Sequence, residues 1–334
     1  MLRVPFAELY AALHKAMLSL GLRDDRAQLC ARLFVETTRD GVYTHGLNRF
    51  PRFEAMVLNG TIDLHAEPTR VSGIGGLERW DGHRGPGNLN AYAAIHRAIE
   101  LAKQNGIGGV ALGNTNHWMR GGTYGWLAAE AGLFALCWSN TLANVPAWGA
   151  TTPSIGNNPL VIAAPRTSGP VVIDMAVSQF SYGSLASYAK RGEPLPVPGG
   201  YDAAGNLTTD AAAIEATQRA LPIGYWKGSG LAVVLDMLGA MLSGGTATHE
   251  FPKDPLREAG QSQIFLVIDP TSLASAEELD RVADGIIESL RRATPVDPVK
   301  PIRYPGEQTL RLREENLRLG VPVDPEIWNR LTAT

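Results

Sequence analysis

Two histidines, two arginines and a lysine stand in short polar stretches whose spacing suits proton transfer beside a bound anion. The first stretch is T-H-G-L-N-R at 44–49, inside a turn bracketed by Gly41 and Gly46. An imidazole titrates near neutrality, so His45 can give or take a proton. Arg49, four residues on, can hold a carboxylate through paired charge-assisted hydrogen bonds. If Leu47 or Asn48 opens a helix, His45 lies just ahead of its positive end, and the dipole disfavours imidazolium. The plainer reading is a turn-capping histidine with a solvated arginine.

The second stretch, N-T-N-H-W-M-R-G-G-T-Y-G-W at 114–126, follows a strand pattern. It brings Asn116, His117 and Arg120 together with glycines and aromatics, a composition that suits a loop presenting polar groups over an aromatic wall. It equally suits an aromatic turn that only packs. The third, G-Y-W-K-G-S-G at 224–230, opens an apolar helix. Free N–H groups at that helix start, with Lys227, would suit a pyrophosphate. Glycines there also permit close packing with no ligand.

The elements that must hold these stretches show in the periodicity. Residues 5–38 carry two helical blocks, the first stopping at Gly21, the second capped by Asp24 or Asp25. A third helix runs to Gly60. From about 68 the pattern becomes strand–turn–strand, then a helix stopping at Gly106, then apolar strands alternating with helices. Segment 190–210 is rich in Gly, Pro and Asp and reads as a loop or lid. Residues 229–243 are almost wholly apolar, which implies a buried helix. The C-terminal part returns to helix. The chain is mixed α/β, with a helical first unit, a strand-and-helix middle and a helical C-terminal part.

Composition narrows the function. A chain of 334 residues with net charge −3, 45% hydrophobic and 19% charged, reads as an ordinary globular protein without a nucleic-acid footprint. No apolar run reaches the length needed to span a bilayer, and the start lacks a signal-peptide pattern, so a cytoplasmic location is expected. Cys30 and Cys137 have neither metal nor disulfide spacing and read as buried, reduced thiols. G-x-G-x-x-G after a strand, G-x-S-x-G, H-E-x-x-H and C-x-x-C are all missing, which argues against a Rossmann domain, a serine hydrolase and a metal site.

T-H-G-x-x-R, N-x-N-H-W-M-R-G-G-T-Y-G-W, I-G-N-N-P-L, V-I-D-M-A-x-S and G-Y-W-K-G-S-G occur in this order along the chain. In this the sequence resembles the malate/L-lactate dehydrogenase-like oxidoreductases, an NAD(P)-dependent family without a Rossmann domain. The resemblance runs over essentially the whole length. It implies a mixed, largely antiparallel sheet flanked by helices as the cofactor-binding part, residues 71–294, plus a helical, substrate-side part of residues 1–70 with 295–334. It implies His45 as proton donor beside Thr44, where relatives usually carry Ser, with Asp202 at an acidic position near the catalytic site. Arg49 would hold the substrate carboxylate and His117 would line the substrate pocket; by their chemistry alone, His117 and Arg120 suit hydrogen bonds to hydroxyls or a second keto oxygen of a sugar acid. Asp174, Met175, Ser178, Trp226, Lys227, Gly306 and Glu307 would contact the cofactor, NAD with NADP as the variant, and no metal is expected. The implied substrate is a small keto sugar acid and the implied assembly a homodimer with a shared cofactor site, with no nucleic-acid or membrane partner. Dehydrogenation of malate, lactate or ureidoglycolate, reduction of a cyclic imino acid, or non-catalytic binding of a sugar acid stay open.

Overall fold

The computed structural model describes residues 2–333. The chain begins with β1 (Leu2–Val4), α1 (Phe6–Ser19), α2 (Asp24–Arg39) and α3 (Phe50–Leu58), then β2 (Thr69–Ile74), β3 (Leu77–Asp81) and α4 (Gly87–Asn105). It continues through β4 (Ile107–Thr115), α5 (Gly122–Glu130), β5 (Phe134–Ser139), β6 (Val145–Pro146), β7 (Pro153–Ile155), β8 (Leu160–Ala164) and β9 (Val171–Met175). Then come α6 (Tyr182–Arg191), β10 (Gly200–Tyr201), β11 (Leu207–Thr208), α7 (Ala211–Thr217), α8 (Trp226–Ser243) and β12 (Gln261–Ile268). The chain closes with α9 (Ala276–Arg291), α10 (Glu307–Leu319), β13 (Val321–Val323) and α11 (Pro325–Thr332).

The main sheet has the order β2-β3-β4-β12-β5-β8-β9. Only the β3–β4 pair is parallel. Sequence alternation makes the sheet two-faced. Val110, Leu112, Cys137, Val161 and Phe265 turn toward α4 and α5, whereas Trp138, Leu160 and Ile264 turn toward α8. A separate core holds α1, α2 and α3 with Val321, Val323 and Leu331, because β13 returns to pair with β1. This helical layer carries the turn at 43–49.

Three local expectations change. Asp24 and Asp25 lie inside the first turn of α2, whose cap position is Arg23, so they favour the helix through its dipole rather than by capping. The 190–210 loop contains the short β10–β11 hairpin and is flanked by two helices, α6 and α7, that its composition did not suggest. Ser181 caps α6 by accepting from Ser184 N–H, Gly192 ends it in the left-handed region, and Asp210 caps α7. Only Leu185 of α6 is buried, so no apolar period announces that helix.

The third change is α8. It is not buried all round: Val233, Val234, Met237, Leu238, Met241 and Leu242 form an exposed apolar face, with Met241 74% exposed. Its other side packs Ala232, Leu235 and Gly239 onto the sheet, with the Trp138 indole N–H donating to Leu235 O. Apolar composition specified burial without specifying that one chain buries only half of the helix.

Candidate active site

The T-H-G-L-N-R stretch forms two consecutive 3-10 turns, Tyr43–His45 and Leu47–Arg49, before α3 begins at Phe50. Gly46 between them lies flush against Thr38 of α2, where a Cβ would stand 2.8 Å from the Thr38 backbone nitrogen. Thr38 Oγ1 accepts the Leu47 N–H at 2.8 Å and donates to Phe34 O. On the other side Gly183 of α6 touches Thr44, with a hypothetical Cβ 2.9 Å from Thr44 Cβ. The turn is thus clamped between α2 and α6, and its side chains face a cavity of about 300 Å³ lined by Thr44, His45, Arg49, His117, Asn157 and Glu258, among others.

The two histidines stack, with ring centroids 5.8 Å apart and planes 18° off parallel. They differ in what they can do. His117 Nδ1 accepts the Met119 N–H at 3.0 Å, which fixes the neutral ring with its proton on Nε2. His45 Nδ1 faces Thr44 Oγ1 at 3.0 Å. A hydroxyl can donate to a neutral ring or accept from a charged one, so His45 changes protonation without losing its partner, whereas His117 would forfeit a backbone hydrogen bond. Burial lowers the His45 pKa to about 4, with Arg49 and Arg120 adding repulsion. The expected helix dipole is not the leading cause. Burial likewise holds His117 well below its ordinary value, helped by Arg49 and His45.

Arg49 pairs with no carboxylate among the described residues. Burial, then the nearby Arg52, lower its pKa to about 10, with Glu258 opposing. Arg52, one turn further on, is committed: it donates to Pro255 O and pairs with buried Glu258 at 3.2 Å. Glu258 Oε1 also accepts from Leu142 N–H and Gln261, so this carboxylate is used up tying α3 to the loop after β5. Among the described residues, the cavity therefore holds one guanidinium that lacks an anion.

Residues 4–332 of the chain match the family described as "Malate/L-lactate dehydrogenase". The chain belongs to the malate/L-lactate dehydrogenase family. It is 45% identical, over 99% of its length and 100% of the relative's, to the 2,3-diketo-L-gulonate reductase of Shigella boydii serotype 4. It is 44% identical over the same shares to that of Escherichia coli O1:K1. The fold is shared with malate dehydrogenase from Pyrococcus horikoshii OT3, at TM-score 0.90 and 27% identity over 99% and 94% of the two chains. It is also shared with delta1-piperideine-2-carboxylate reductase from Pseudomonas syringae pvar. tomato, at TM-score 0.89 and 27% identity over 100% and 99%. The chain is accordingly an oxidoreductase with the mixed, non-Rossmann fold of this family.

Of the residues expected at the site of this dehydrogenase-family chain, Thr44, His45, Arg49 and His117 share the cavity. Arg120 does not line it. Its buried guanidinium donates to Asp40 Oδ2 at 2.7 Å, and Asp40 also receives Arg313 and Arg39. Burial alone would raise the Asp40 pKa, but these three cations outweigh it and hold it at about 2. Arg120 is thus spent on a structural cluster and reaches His45 only through its field. Asp202 is also elsewhere: it sits in the turn of the β10–β11 hairpin and accepts the Asn206 N–H, which lowers its pKa.

The remaining candidates are strung along β9 and its continuation. Val172 N–H donates to Pro305 O, which sets Gly306, at φ 94°, against the Trp126 ring. Glu307 is held by Arg291 and by the Tyr304 N–H. Asp174 accepts the Gly122 N–H at 2.8 Å. Met175 packs on the core beneath α8, and the buried Ser178 hydroxyl donates to Phe180 O. Val177 N–H donates to Asn157 O, so this line of backbone runs directly into the cavity wall. Trp226 and Lys227 are exposed at the start of α8, and Lys227 has no carboxylate partner among the described residues. The Lys227 and Gly228 N–H groups are taken by Gly224 O and Ile223 O, so the helix start has fewer free donors than expected.

Sequence reasoning missed Arg52, Thr141, Asn144, Asn157 and Glu258. Arg52 is three residues after Arg49 on one helical face, a spacing that could have flagged it. Asn157 lies within the I-G-N-N-P-L motif. Glu258 sits in an irregular loop and left no local signal.

Proposed function

We propose that the chain is an NAD(P)H-dependent reductase of an α-keto sugar acid, converting 2,3-diketo-L-gulonate to 3-keto-L-gulonate. The observation that carries this reading is the unpaired Arg49 guanidinium in one cavity with a histidine whose ring partner is a reversible hydroxyl. Arg49 takes the substrate carboxylate and thereby sets the neighbouring ketone toward His45. His45, polarised through Thr44 on Nδ1, gives its Nε2 proton to the developing alkoxide, a contribution of roughly 10²–10⁴-fold. His117 keeps its Nε2–H as a fixed donor and stays neutral. The curated relatives named 2,3-diketo-L-gulonate reductase support this substrate class.

The substrate anion also prepares the acid. Arg49 repels imidazolium in the free protein. A carboxylate on Arg49 cancels that repulsion, so substrate binding raises the His45 pKa and draws in a proton.

A nicotinamide cofactor would lie beside β9, the edge strand of the sheet, and along its continuation, where the backbone leads to Asn157. Asp174 and Met175 lie on that edge, and Gly306 and Glu307 beside it. Lys227 and Trp226 supply a free cation and an exposed ring for the dinucleotide. Bound there in reduced form, the cofactor supplies the hydride. The apolar face of α8 is the surface a second copy would cover, giving a homodimer whose partner helps enclose the cofactor. The test of the function is reduced-cofactor oxidation with 2,3-diketo-L-gulonate beside pyruvate, oxaloacetate and a cyclic imino acid. Selective turnover of the diketo sugar acid supports the reading; turnover of another acid alone discards the substrate and keeps the mechanism.

A further inference from the structure

The I-G-N-N-P-L motif contains two adjacent asparagines with opposite fates. Asn158 is fully buried and serves the fold: its Oδ1 accepts the Thr141 N–H, and its Nδ2 donates to Ala232 O. Asn157 lines the cavity. Its amide orientation follows from a backbone group. Asn157 N–H donates to one side-chain atom of Asn144 at 2.8 Å, which must therefore be Oδ1. The other Asn144 atom is then Nδ2, and it donates to Asn157 at 3.1 Å. The Thr141 hydroxyl donates to the same Asn157 atom at 3.0 Å. That atom is Oδ1, carrying two donors, and flipping either amide would set like atoms against each other.

Asn157 Nδ2 therefore points its two hydrogens away from this network. It has no acceptor among the described residues. Two other cavity groups share that state: the Arg49 guanidinium, without a carboxylate, and His117 Nε2–H, fixed by Met119. All three are donors without an acceptor among the described residues, and the fold fixes the orientation of Asn157 and His117. The first three carbons of a 2,3-diketo acid offer only acceptors: a carboxylate and two carbonyl oxygens. Gln218 lines the cavity from an exposed position, with its Nε2 spent on Glu215 O and its Oε1 left to accept. An acceptor there suits the hydroxyl-bearing remainder of a sugar acid.

From this arrangement we infer that Asn157 Nδ2 donates to the oxygen next to the reacting carbonyl and so selects vicinal diketo acids over simple 2-keto acids. The inference rests on the proposed reduction of a keto acid and names what distinguishes its substrate. Asn157→Asp retains Oδ1 for Thr141 and Asn144 and replaces the donor with an acceptor. Asn157→Ala removes the donor without adding charge. The readout is the ratio of kcat/KM for 2,3-diketo-L-gulonate to that for 2-oxobutanoate, which lacks the second oxygen. Added charge or loosened packing penalises both substrates alike. Loss of the donor lowers the ratio, by ~10–100-fold for one hydrogen bond to a buried oxygen. An unchanged ratio in folded variants overturns the inference.

A second measurement needs neither variants nor turnover. The Asn157 side-chain amide resonance of the wild-type protein, assigned through its backbone, is followed as each acid is added. A shift with 2,3-diketo-L-gulonate and none with 2-oxobutanoate upholds the contact. A resonance unmoved by the diketo acid overturns it. Failure of the wild type to reduce any keto acid sinks the functional reading instead, and the resonance still decides the contact.

Discussion

At the scale of single residues, the proposed chemistry turns on an asymmetry between two stacked imidazoles. His117 is pinned by a backbone N–H, and His45 is partnered by a hydroxyl that serves both protonation states. His45→Ala should lower kcat by at least ~100-fold with cofactor affinity little changed. Preserved turnover would reassign the acid. The pH dependence follows from the lowered His45 pKa of about 4. Reduction needs imidazolium, so kcat/KM, which reports the free protein, should fall as pH rises above about 4. In the complex the carboxylate offsets Arg49, so kcat should hold to higher pH before falling. Profiles of the two constants that break at one pH would contradict the coupling. Arg49→Lys should chiefly raise KM, because a planar fork becomes a point charge. An unaltered KM would remove Arg49 from the carboxylate.

At the scale of elements, the site depends on how the helical layer is fastened. Asp40 at the end of α2 gathers Arg39, Arg120 and Arg313, which belong to α2, the loop before α5, and α10. Asp40→Asn leaves buried guanidinium charge uncompensated and should cost ~3–5 kcal/mol in denaturant unfolding. Asp40 is held at about 2 in the folded protein, below its unfolded value. Its stabilisation is therefore complete above about pH 4 and is lost as pH falls toward 2. A variant as stable as the parent near neutrality would show that the cluster is dispensable. This cluster also shows where the sequence was silent. Arg120 looked like a substrate ligand because its stretch is polar and aromatic, and its partner lies 80 residues away. His45 and Arg49 were legible because one short turn carries both. The Asn144–Asn157–Thr141 network was not, because β6, β7 and the loops around them meet only in the folded chain. The strands of the main sheet were legible from alternation. α6 was not, since it buries only one side chain in full.

At the scale of the whole molecule, the seven-stranded sheet separates a supported face from an open one. α8 covers part of the open face and leaves its own apolar stripe exposed. Composition marked this helix as buried, and the second subunit proposed above would complete that burial. Met237→Glu combined with Met241→Glu should convert a dimer to a monomer by light scattering and raise the cofactor KM. A wild-type protein that is already monomeric would refute the assembly. The proposed site presents a keto acid to hydride, with Arg49 holding the acid and His45 protonating the product. The most direct measurement is oxidation of NADH and NADPH by the wild-type and His45→Ala proteins with 2,3-diketo-L-gulonate, pyruvate, oxaloacetate and a cyclic imino acid. Fast, selective turnover of the diketo sugar acid is expected from the wild type, and its collapse in the variant. No cofactor oxidation with any of these acids, or equal rates in the two proteins, would contradict it.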